Sequence, residues 1–232
     1  MREKDLTNVA YTDDYLNKRE KMIAAVIRPE NVTDTETIAA EGEYSRTVIC
    51  YGTMVDGLRY SCSHNKVYDQ NGMLIHEYTS LYDHSFFCTP VTHSDGRRYL
   101  AYKEDLYGYS VLNLETKETF RYIPAESWNS GETFIVTDIV CNPENDIIAA
   151  GGCYWACPTG TFLFEVKDPM KQFNRYLDLQ TILGEYDKYD DIEFQEWEGS
   201  DILLKGYNIE QEPYHNEIIK VTRAEYENAL HI

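Results

Sequence analysis

A recurring unit governs what this chain can become. A polar turn leads into a hydrophobic strand, a second strand follows after a connection, and the pair returns further along. The clearest copy is His93-Ser94-Asp95-Gly96-Arg97-Arg98-Tyr99-Leu100-Ala101-Tyr102, with Tyr109 to Leu114 as its companion strand. Asn142 to Ala149 with Thr161 to Asp168, and Glu198 to Lys205 with Glu217 to Val221, repeat the plan, and Lys66 to Gly72 marks a weaker first copy. Val67 to Val111, Leu114 to Val166 and Val166 to Val221 are 44, 52 and 55 residues apart. From residue 44 onward, β-branched and aromatic residues collect in short runs of period two, which is the signature of antiparallel strands. A hairpin unit of this kind cannot cover its own apolar faces, so neighbouring units must stack.

The turn and strand sequences from Ser94 to Ala101 and from Asn142 to Ala149 resemble the Pro-Asp-Gly hairpins of β-propeller repeat proteins, of the TolB-like and WD-repeat-like kind. Val111 to Thr116 is similar to the third strand of such a blade. The resemblance spans residues 44 to 221 and departs from the WD pattern in having no Gly-His or Trp-Asp pair. It implies a rigid disc with a binding face and no particular reaction. The expected architecture is all-β, a propeller-like array of about four to five antiparallel blades. A β-sandwich of look-alike hairpins is the alternative.

Two helices frame the repeats. Tyr15, Leu16, Met22, Ile23, Val26 and Ile27 fall on one stripe at 3.6 residues per turn, which predicts an amphipathic helix over 13–28 that ends before Pro29. Thr222 and Glu225 have the spacing of a capping box, with Val221 and Tyr226 as the flanking staple, so a short helix is expected over 224–230. Residues 1–30 are balanced in charge, whereas the whole formal charge of −19 falls on residues 31–232. That shift sets the expected division into an N-terminal helical segment, 1–30, and a single β-domain, 31–232.

A field of this sign repels polyanions and anionic lipid, which argues against nucleic acid and membrane partners and in favour of a basic protein. The first 22 residues hold no apolar run of leader length, so a cytoplasmic protein is expected. In that compartment the six cysteines read as reduced thiols. Cys153 and Cys157 supply two thiols where a tetrahedral metal site needs four ligands, and no histidine stands at a matching short spacing beside them. No metal and no cofactor is expected.

No Gly-x-Ser-x-Gly elbow, P-loop, dinucleotide fingerprint or His-Glu-x-x-His pattern occurs. From Asp178 to Asp201 nine acids face Lys188 alone. The blade offsets equate Asp138 with Glu193, at inner-strand positions where carboxylates could converge. The 20 tyrosines suit strands and interfaces alike. The favoured expectation is therefore a non-enzymatic acidic module that binds a basic protein through Asp138, Asp190, Asp191, Glu193, Trp155 and Trp197. The alternative is a hydrolase or lyase acting on a small or sugar-like ligand in an axial cleft, with Asp138, Glu193 and His84 as acid and base.

Overall fold

The structure is a computed structural model that describes residues 7–39, 43–82, 87–129, 131–142, 144–173, 175–184, 188–210 and 212–230. Among the described residues the chain is all-β apart from three α-helices and two single 3-10 turns, Pro29–Asn31 and Leu179–Thr181. Helix α1 (Asp13–Val26) precedes strands β1 (Val32–Ala39), β2 (Ser45–Val55), β3 (Leu58–Tyr68) and β4 (Leu74–Ser80). Strands β5 (Cys88–Thr92), β6 (Arg98–Tyr102), β7 (Tyr109–Asn113) and β8 (Thr119–Tyr122) follow, then α2 (Ala125–Trp128). After it come β9 (Ile135–Asn142), β10 (Ile147–Cys153), β11 (Gly160–Glu165) and β12 (Arg175–Asp178). The chain ends with β13 (Tyr189–Glu198), β14 (Asp201–Asn208), β15 (His215–Val221) and α3 (Arg223–Ala229).

Among the described residues each group of strands forms its own antiparallel sheet in chain order: three sheets of four strands, and a last sheet of three. Such up-and-down meanders need only short connections, which is why the turns are so marked in the sequence. By contact, residues 7–90 with 100–131 form one compact unit, and residues 91–99 with 132–230 another.

In the first unit α1 runs as its periodicity predicts and stops at Val26, two residues short of the expected end because Pro29 already constrains the chain. The Thr12 hydroxyl caps it by accepting from the Tyr15 amide at 3.4 Å. One stretch of its apolar stripe, Met22, Ile23, Val26 and Ile27, packs on Cys62, Tyr51 and Tyr60 of β2 and β3. The opposite side of that sheet, through Val67 and Tyr78, packs with Leu100, Tyr102 and Leu112. The first sheet is therefore covered on both faces, one by a helix and the other by strands.

In the second unit one core joins the last two sheets. Ile147, Ala149, Leu163 and Leu177 meet Ile192, Ile202, Leu204 and Val221. Helix α3 begins with the expected box: the Thr222 amide donates to the Glu225 carboxylate at 2.8 Å. Its Tyr226 and Leu230 enter the same core, so the short helix fills space at the edge of the sheet that has only three strands.

The turns that recur in the sequence are joined in space. Asp146 accepts from the Ser94 amide at 2.8 Å and from its hydroxyl at 2.6 Å. His93, 7% exposed, lies 3.2 Å from the Asp95 carboxylate and 3.4 Å from that of Asp146, and contacts the Val166 carbonyl at 3.1 Å. One repeat further on, Asn142 donates to the Gly199 carbonyl at 2.8 Å and Ser200 to Glu144 at 3.2 Å. Tyr226 ties the row to α3 by donating to the Ser200 carbonyl and accepting from Asn145, both at 2.7 Å. The turns β5–β6, β9–β10 and β13–β14 thus form one hydrogen-bonded line.

Asp146 also adopts a left-handed backbone, φ 56°, a conformation that Asp tolerates better than Ala. Replacing Asp146 with Ala removes both Ser94 bonds and adds that strain, an expected loss of about 1–3 kcal/mol. A urea melt showing a lower midpoint at unchanged slope would agree with this; an unchanged midpoint would not.

Candidate functional site

Two polar constellations stand out, one exposed and one buried. The exposed one is built around residues 154–159, the connection between β10 and β11. Gly151 and Gly152 precede it, at a β-bulge against β9. A Cβ on Gly152 would lie 2.1 Å from the Ile135 carbonyl oxygen, and one on Gly151 would lie 2.3 Å from an Asp138 carboxylate oxygen. Only glycine lets β9 approach this closely and lets the Asp138 side chain lie over the strand.

The connection itself is pinned at both ends. Tyr154 packs edge-on against Phe134, with centroids 5.7 Å apart, and the Trp155 amide donates to the Glu132 carboxylate. The Cys157 amide closes a turn on Tyr154 at 3.1 Å, and Ala156 takes a left-handed φ of 55°. At the far end the amide and hydroxyl of Thr159 both donate to Asp191 at 2.7 Å. The Thr159 carbonyl in turn accepts from the Ile192 amide at 3.0 Å. Trp155 lies between these backbone anchors and is 61% exposed. Large aromatics are normally withdrawn from water, so an exposed Trp on a connection whose backbone is tied to two carboxylates is an uncommon surface feature.

The other expected site residues fall into place around it. Asp190 is exposed beside Asp191. Asp138 and Glu193 do occupy the first strands of successive sheets, β9 and β13, and both are exposed. Neither bonds to the other: Asp138 accepts from the Thr137 hydroxyl at 3.0 Å, and Glu193 takes the Lys205 ammonium at 3.4 Å. Trp197 is half-buried, donates to the Val140 carbonyl at 3.3 Å and lies against Phe194 and Tyr226, so its ring works in sheet packing. His84 lies outside the described residues. Among the described residues no three His, Cys, Asp or Glu side chains converge as a metal site, and the six cysteines carry no disulfide.

The buried constellation belongs to α1. Glu104, 5% exposed, accepts from Arg19 at 2.7 Å and Arg121 at 2.5 Å through one oxygen, and from Ser110 at 3.1 Å through the other. Arg19 also donates to the Thr79 carbonyl at 2.5 Å, and Tyr15 donates to Asp105 at 3.2 Å. Trp128 completes the fastening: it stacks edge-on with Tyr15, donates to Asp14 at 2.7 Å and carries the Lys18 ammonium 4.2 Å above its ring. Burial pushes the Glu104 carboxyl up, but the two guanidiniums outweigh it, Arg121 first, and hold it below the ordinary glutamate value. Burial dominates at neighbouring Asp105, whose carboxyl is raised. Three donors hold this buried carboxylate ionised and turned inward, and the cluster serves to lock α1 down.

Removing one partner of such a buried pair leaves uncompensated charge. Glu104→Gln is expected to destabilise by about 3–5 kcal/mol at neutral pH. Because the folded value of Glu104 is depressed, its contribution is present above the unfolded value of about 4.3 and fades as pH falls through the folded one. Stability measured against pH should therefore show the gap between wild type and variant shrinking in acid. A gap constant down to strongly acidic pH would remove the charge pairing from the account.

No protein-family model matches the chain, and the comparison with curated proteins finds no match. Among solved structures the chain is similar to Pyrococcus horikoshii acylaminoacyl peptidase in its orthorhombic crystal form, with a TM-score of 0.45 and 9% identity. The alignment covers 83% of this chain and 31% of that one, so the chain corresponds to under a third of the peptidase's length.

Proposed function

We propose that the chain is a non-enzymatic protein-binding module that takes a basic protein partner at the Trp155 connection. The observation that carries this reading is the exposed Trp155 on a connection whose backbone is anchored to Glu132 and, through Thr159, to Asp191. Rigid aromatics supply contact area with little ordering cost, and an exposed indole on an acidic connection suits an Arg or Lys side chain by cation–π attraction and ion pairing. Asp190 and Asp138 extend the negative field on the same unit, and the formal charge of −19 adds long-range steering toward a cationic surface.

The reading extends to the scaffold. The sheets are taken as blades of a propeller-like array, supported by their meander order and by the bonded row of turns, and the recognition loop as one of its face connections. A reducing, cytoplasmic setting accords with six free thiols.

Capture from lysate on the immobilised chain tests the proposal. A basic protein should be retained at low salt and released as salt screens the carboxylates. Trp155→Ala should weaken retention of that protein by tenfold or more while leaving thermal stability nearly unchanged, since the side chain is mostly in water. Recovery of no salt-sensitive basic partner, or equal retention by Trp155→Ala, would overturn the reading.

A further inference from the structure

The edge of a sheet carries unpaired main-chain donors and acceptors, and proteins that stay in solution blunt it with bulges, prolines or short strands. Among the described residues this chain does so at every edge but one. The edge strands β1, β4, β9 and β13 are each interrupted by a shift of register against their neighbours. β5 contains Pro90, and β8 and β12 are only four residues long. β15 has none of these devices. Its seven residues pair with β14 in unbroken register, from Ile202 opposite Val221 to Asn208 opposite His215. Along its other side no group among the described residues is hydrogen-bonded to its backbone, and it borders the sheet that has three strands where the others have four. Every second amide and carbonyl of β15 therefore faces water along about 23 Å, at the spacing that an added strand would satisfy.

The side chains of β15 say which strand fits. Ile219 and Val221 face the core, and strand alternation sets Glu217 on that same face. Ile218, 64% exposed, and Lys220 point the other way. A lysine on an edge would ordinarily guard it, but Lys220 is drawn back across the sheet by Glu198 at 2.6 Å and Asp201 at 2.9 Å. Glu217 is held in place by the Tyr189 hydroxyl and by Asn208 at 3.3 Å, while Lys188 and His215 stand off at 4.0 and 3.6 Å. Exposed Glu210 and Glu212, in the connection leading into β15, add to the negative field. A carboxylate on the inner face of an edge refuses an apolar strand and admits one with a cation at that position. We infer that β15 takes up an extended segment of a partner protein by strand addition, with a Lys or Arg of that segment beside Glu217 and β-branched residues beside Ile218 and Ile219. Main-chain bonds supply the attachment and Glu217 the choice of sequence. The edge is separate from the Trp155 connection, so either proposal can fail without the other.

The test uses the full chain and a capped, fluorescein-labelled peptide of about nine residues, in which Thr and Val alternate around a central Lys, long enough to run the length of β15. Fluorescence anisotropy should show saturable binding below about 1 mM, and hydrogen exchange should show the amides of β15 gaining protection while those of β13 do not. Strand addition engages only every second amide of the peptide. N-methylation of one alternate set should therefore abolish binding, and N-methylation of the other should be tolerated. Glu in place of the central Lys should weaken binding roughly fivefold, and the variant Glu217→Lys, its circular dichroism spectrum unchanged, should reverse that preference. An absence of saturable binding would overturn the inference. So would equal loss from both methylated sets, protection gained elsewhere than β15, or wild-type binding indifferent to the central charge.

Discussion

The constraint on which everything else rests is geometric. A four-stranded meander has two faces, and in this sequence both carry apolar side chains. Such a sheet is stable only as a layer between others, and each surface it buries contributes roughly in proportion to the apolar area withdrawn from water. The sheet β1–β4 meets the demand with α1 on one side and strands on the other, and the sheets β9–β12 and β13–β15 share a single core. Helix α3 places Tyr226 and Leu230 in that core beside the sheet with the fewest strands.

Layers held only by apolar contact could slide, and the polar groups prevent that. The row of turns running from Ser94 through Asp146 and Asn142 to Gly199 and Ser200 fixes each hairpin against the next by directional bonds. Glu104 does the same for α1, at the cost of burying its own charge and that of Arg19 beside half-buried Arg121. Function, on this account, is placed where the scaffold is stiff. The connection carrying Trp155 has its backbone anchored by Glu132 on one side and, through Thr159, by Asp191 on the other, and Trp155 stands exposed between those anchors.

Much of the scaffold was legible in the residues because local chemistry dictated it. The polar turns appear where turn-forming Ser, Asp, Asn and Gly cluster, the strands where period two sets in, and α1 where the period changes to 3.6. The capping box at Thr222 was equally local. What stayed hidden was long-range. Arg19 reads as an ordinary polar position on a helix, and Glu104 as one acid among forty, since their pairing spans 85 residues. The offset between repeats did lead from Asp138 to Glu193, and both lie on first strands, but each found its own nearby partner. Trp155 was conspicuous by type, whereas its pinning by Glu132 and Asp191 depended on contacts no spacing announces. The Gly151-Gly152 pair was a signal available in the sequence, and it marks the bulge that positions the connection.

Native-state hydrogen exchange on residues 132–230 probes the layered core most directly. If β9–β12 and β13–β15 depend on each other for burial, the amides of their central strands should share one large opening free energy and lose protection together as urea is added. Independent exchange, with β13–β15 opening fully while β10 and β11 stay protected, would mean that each sheet stands alone and would contradict the account.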